Sequence, residues 1–185
     1  MCIIQDGNSN AISSLEISST IQALDVNVRR NAVQRVLNDA YVINGGGGAY
    51  TDGDIVSKDA AGVASPLHWD MQTGGGQVMV ANVSTNYASI TNAQFKLHLW
   101  GTLPTFTAAD NAALSTKYPV YGSDYLGSMI VTLDQLGSDG ASGVAYPTVG
   151  QSIVFDGGDL YGILEAKAAY TPSAGQAFKI RLSCI

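Results

Sequence analysis

His68 and His98 are the two histidines of this 185-residue chain, and they are its natural candidates for acid–base work near neutral pH. A hydrolytic triad would need one of them beside a nucleophile and an orienting carboxylate. His98 falls on the outward side of an alternating run, Gln94 to Trp100, and His68 sits beside Trp69 in a short run after Pro66. No G-x-S-x-G elbow accompanies either one. Both therefore read as surface or interface histidines. Two carboxylate pairs, Asp52 with Asp54 and Asp156 with Asp159, flank glycines. Asp-Gly turns use such residues because Asp bonds its own backbone and Gly takes positive φ. The pairs lack the dense oxygen spacing of a calcium loop and any sign of a shared glycosidase cleft. Gly45 to Gly48 and Gly74 to Gly76 are not followed by the Lys-Ser/Thr or helix of a phosphate loop. Cys2 and Cys184 have neither a C-x-x-C partner nor a histidine at ligand spacing. They read as two reduced thiols, with a terminal bridge left open. No catalytic residue, metal or cofactor is expected.

Aromatic residues offer a different chemistry. Trp69, Trp100 and nine tyrosines could stack on sugars, or they could be buried at oligomer interfaces. The residue pattern alone leaves both open. The charge pattern narrows the partners. Charged residues are 13% of the chain and the net charge is −6. A weakly charged, Gly-rich surface suits a protein partly covered by neighbours. The one basic cluster is Arg29, Arg30 and Arg35. Phosphate tracking needs a patch or stripe of Lys and Arg, so no nucleic-acid partner is expected, and no membrane partner either. Residues 1–24 lack the basic start and apolar stretch of a secretory signal, so synthesis in the cytosol is expected.

The elements that must position these residues are strands. After the Gly45–Gly48 run, short stretches alternate between apolar and polar residues. They cover 53–57, 67–71, 77–84, 94–100, 128–136, 151–155, 160–168 and 177–185. Phe95, Leu97, Leu99, Val131, Leu133, Ile163, Phe178, Ile180 and Leu182 are the expected core, because a two-residue period fixes the buried face. Thr107 is placed to cap one short helical turn through Leu114. About eight strands with turn-formers between them predict an all-β, jelly-roll-like antiparallel β-sandwich over 49–185. Residues 1–48 read as an N-terminal arm or extension. Within it, 25–41 fits a short helix through Val33, Val36, Leu37 and Ala40, with a strand as the rival.

Five stretches carry a resemblance. They are AYTDGDIVS (Ala49 to Ser57), AQFKLHLW (Ala93 to Trp100), PTFTAADNAALS (Pro104 to Ser115), YLGSMIVTL (Tyr125 to Leu133) and DLYGILEAKAAYTPSAGQAFKIRL (Asp159 to Leu182). From about Tyr50 onward the chain resembles the head decoration, or cement, proteins of tailed bacteriophages. The resemblance implies a jelly-roll on the outer capsid surface, bound to the major capsid protein and to copies of itself as a dimer or trimer. It implies a structural virion protein and not an enzyme. The rival readings are a carbohydrate- or receptor-binding module on the virion and, more remotely, a glycan-active enzyme on the same fold. Arg29, Arg30, Arg35, Trp69 and Trp100 are the candidate capsid or subunit contacts. The arm holds the one basic cluster, beside a body with six Lys or Arg against eleven Asp or Glu. It is therefore expected to reach outside its own sandwich.

Overall fold

Eleven strands account for the regular structure of the computed structural model, which describes residues 35–42, 48–57, 63–71, 75–87, 93–114 and 125–185. In chain order they are β1 (Arg35–Val42), β2 (Ile55–Val56), β3 (Leu67–Asp70), β4 (Gly76–Thr85), β5 (Gln94–Trp100), β6 (Tyr125–Thr132), β7 (Asp134–Leu136), β8 (Gly140–Ala145), β9 (Ile153–Phe155), β10 (Asp159–Ala166) and β11 (Ala177–Cys184). Every strand pair is antiparallel. The first sheet runs β1-β11-β4-β8-β7, with β9 extending the β8 side of β4. The second runs β2-β10-β5-β6, with β3 beside β2 along β10. The chain crosses between sheets repeatedly, and β1 ends up beside the last strand. This order makes an all-β, antiparallel sandwich.

The sheets pack face to face because each strand turns its apolar residues one way. Phe95, Leu97, Leu99, Val131, Leu133, Phe178, Ile180 and Leu182 all fall in one buried cluster with Trp69, Met129 and Leu164. Phe95 is the centre of an edge-to-face trio, 5.2 Å from both Tyr170 and Phe178. Gly162 has a packing role within β10. A Cβ there would lie 2.9 Å from the Trp69 ring and 3.0 Å from the His98 carbonyl, so only glycine lets the indole cross the strand.

Three expectations change. Ile163 is buried, but in a second cluster with Ile55, Ala64, Trp100, Phe106, Ala108 and Leu114 on the other side of the second sheet. The helical turn from Thr107 does not form, and no helix occurs among the described residues. Instead Asn111 takes a left-handed conformation (φ 56°), and the backbone pairs with β2 through Asn111 N–H to Ile55 O and Ile55 N–H to Ala112 O. Asp110 accepts hydrogen bonds from Tyr50 Oη and from the Ser57 amide, which ties the segment down. Third, part of the expected arm belongs to the body. Arg35–Val42 is a strand paired along its length with β11, and the compact unit runs from Arg35 to Cys184. The helix reading of 25–41 gives way here to its strand rival. Residues 1–34, with the rest of that reading and with Cys2, lie outside the described residues. Cys184 is a buried thiol.

Candidate functional site

A cluster of interacting titratable groups lies on the outer side of the second sheet. Its central members are outward residues of neighbouring strands, joined by Lys167 just after β10 and Asp52 in the turn before β2. His98 on β5 stands opposite Ile163 of β10 on one side and Ser128 of β6 on the other. A β-bulge then re-aims β6. Leu99 pairs with Gly127 but Trp100 pairs with Tyr125, so Leu126 is the extra residue. Gly127 accommodates the bulge at φ 142°. The insertion brings Tyr125 to the outer side, where it meets His98.

His98 Nε2 is 2.6 Å from Glu165 Oε2, and Nδ1 is 3.1 Å from Tyr125 Oη. Glu165 Oε1 accepts from Lys167 Nζ at 3.3 Å, and Lys167 reaches Asp52 at 2.6 Å. An ionised carboxylate only accepts, so Nε2 carries the proton and Nδ1 receives the Tyr125 hydroxyl. Ser128 in turn hydrogen-bonds to the Tyr125 oxygen. The result is one chain of hydrogen bonds, Ser128–Tyr125–His98–Glu165–Lys167–Asp52.

Burial sets its charge state. Desolvation lowers the His98 pKa against the opposing pull of Glu165, so the imidazole is neutral at pH 7. Burial alone would raise Glu165, but the hydrogen bond from His98 and the nearby Lys167 outweigh it and hold the carboxyl below its ordinary value. Burial raises the Tyr125 phenol, which stays protonated. Lys167 is raised by its hydrogen bond to Asp52. Trp100 stacks beside His98 at 6.0 Å and takes the edge of Phe106 at 5.9 Å, so the 103–114 segment covers the indole that flanks the network. The cluster shares protons among its own members. The two ends of the chain reach solvent, through Tyr125, about a third exposed, and through Asp52.

His98 is thus on the outward side of its strand, as expected, but it is only 6% exposed and is not a surface histidine. His68 is half exposed. It stacks on Tyr161 at 4.9 Å and lies 2.7 Å from Asp159. Trp69 and Trp100 do not serve as contact residues, because both are sealed inside this chain at 2% and 0% exposure. One fills the inter-sheet core and the other lies under the 103–114 roof. Arg35 begins β1, while Arg29 and Arg30 lie outside the described residues. The Asp-Gly turns divide their work. Asp54 accepts from the amide and hydroxyl of Thr51, as a turn residue does, while Asp52 reaches across to Lys167.

No protein-family model matches this chain, and no curated protein sequence matches it.

Among the described residues no group of three or more His, Cys, Asp or Glu side chains is placed to hold a metal ion. No helix long and apolar enough to cross a membrane occurs among them. The network itself escaped the sequence reading. Its signal was there in two polar residues, His98 and Glu165, each set among apolar neighbours (LHLW and GILEA), but they lie 67 positions apart.

Proposed function

We propose that the chain is a structural virion protein, a decoration subunit that binds the outer surface of a phage head and stiffens the shell. On this reading it is not an enzyme. It is made in the host cytoplasm, ends on the capsid, and has the major capsid protein and its own copies as partners. The observation that carries the reading is where the resembling stretches fall. AQFKLHLW is β5, YLGSMIVTL is β6, and the last stretch spans β10 and β11. PTFTAADNAALS supplies the roof segment. These stretches build framework, and His98, Glu165 and Lys167 within them are bonded to one another. A rigid sandwich bound only to the assembled shell stabilises that shell by mass action. The test is to add the purified chain to heads that lack it. Saturable co-sedimentation and a raised temperature of head rupture support the proposal. Failure to co-sediment removes it.

A second reading, a carbohydrate-binding module on the virion, is favoured by one feature. His68, Tyr161 and Asp159 place an aromatic stack beside a carboxylate at an exposed edge of the second sheet. Titration with a glycan panel tests it, and binding lost in Tyr161→Ala would favour it over the first.

A further inference from the structure

The outer side of the first sheet carries an arrangement that the decoration reading does not use. Strand register places Lys179 of β11 opposite Ser84 of β4, Ser84 opposite Ser142 of β8, and Ser142 opposite Asp134 of β7. Directly opposed residues in antiparallel strands share a face. One row across the sheet therefore reads cation, hydroxyl, hydroxyl, carboxylate. The next row reads Arg181, Asn82, Val144. Lys179, Arg181 and Asp134 are exposed, and none of the three forms an ion pair with another described residue. Val144, Val154 and Met79 are exposed on the same side, at 47%, 56% and 39%. The face is thus positive at the β11 side, negative at the β7 side, and uncharged between.

We propose that this face pairs with the same face of a second copy of the chain. A face that is cationic on one side and anionic on the other complements itself under a twofold operation. With the twofold axis parallel to the strands and between β4 and β8, each row falls on its own copy. Lys179 of one protomer then stands over Asp134 of its partner, and Asp134 over Lys179. Ser84 faces Ser142, and Asn82 faces Val144. The two charges of one row are three strand spacings apart, about 14 Å, too far to neutralise each other within a protomer. Sheets stack about 10 Å apart, which a lysine and an aspartate side chain span between them. The apolar contribution is modest, so charge sets the register and much of the affinity. The pairing does not depend on whether the chain decorates a capsid.

Sedimentation-velocity runs on the full chain, up to about 0.2 mM, test the pairing at low and high salt. The wild type should show a concentration-dependent dimer that weakens as salt rises. Lys179→Glu and Asp134→Lys should each raise the dissociation constant at least tenfold. The double variant should recover to within about threefold of wild type, since the swap restores the complement. All these positions are exposed, and circular dichroism checks that each variant is folded. A wild-type monomer over the whole range would overturn the proposal. So would a dimer indifferent to both single changes, or a double variant no better than the singles. Loss of capsid binding with dimerisation intact would remove the decoration reading and leave this one standing.

Discussion

The two outer faces of the sandwich follow the same two-residue alternation and end in opposite states. On the second sheet the outward residues include Trp100, Ile163 and His98, and all three are buried: residues 103–114 fold over Trp100 and Ile163, and His98 is enclosed by Trp100, Tyr125 and Glu165. On the first sheet the outward residues include Val144, Val154, Lys179 and Arg181, and all four are exposed. Alternation tells which residues share a side. It does not tell whether that side is wet. A sheet becomes buried on both sides only when another part of the chain is tied down across it. Here the tie is made by Asp110 and by the backbone pairing of 111–114 with β2 and its flanking turn.

This contrast can be broken most strongly at the roof. Trp100→Ala should cost about 3–5 kcal/mol, the usual cost of emptying a buried large aromatic site. Chemical denaturation would read it as a lower midpoint at unchanged slope. A loss under about 1 kcal/mol would mean that the roof does not seal the face. Gly162→Ala should cost about 1–3 kcal/mol, because the new methyl meets the Trp69 ring and the His98 carbonyl together.

The polar network beside the roof should make stability depend on pH with a definite sign. The folded His98 pKa is below 6.5, so as pH falls past that value the unfolded chain takes up the proton first and stability drops. The folded Glu165 pKa is also depressed. Its contribution is complete above 4.5 and is lost as pH falls through the folded value. Both groups make acid destabilising. His98→Gln should flatten the upper part of the profile, just below pH 6.5, and also shrink the carboxylate part, because His98 is the first cause of the Glu165 depression. Glu165→Gln should cost about 1.5–3 kcal/mol at neutral pH, the range for a hydrogen bond to a charged group. Thermal melts across the acid range check both, and a wild-type melting temperature that rises on acidification would contradict the assignment. Smallest of all, Val144→Ala on the uncovered face should change monomer stability by no more than about 0.5 kcal/mol.

Much of the framework was legible in the residues. β5 and β11 alternate strictly, and their inward sets are buried as read. β8 was missed because GASGVA offers no apolar period. It is a strand because β4 and β7 pair with it on either side. Arg35–Val42 carries apolar residues that fit a helix as well as a strand, and the register with β11 decides between them. The turn at 107–114 has a good cap and helix-forming alanines, yet its backbone finds partners in β2, a non-local gain that local propensity does not contain. The site was less legible for the same reason. His98, Glu165 and Tyr125 meet only through strand order and through a bulge at Gly127. The turn carboxylates Asp52 and Asp54 were read from local chemistry alone. Local chemistry proved right for Asp54 and incomplete for Asp52, whose partner is Lys167.

The most direct measurement of the proposed role is an electron-microscopy map of a phage particle proposed to carry the chain, with the copy number of the chain. The expected result is a β-sandwich density on the outer head surface, repeated on the icosahedral lattice in hundreds of copies, with Trp69 and Trp100 inside the subunit and away from the capsid. Density confined to a few copies at the tail, or no density on the particle at all, would contradict it.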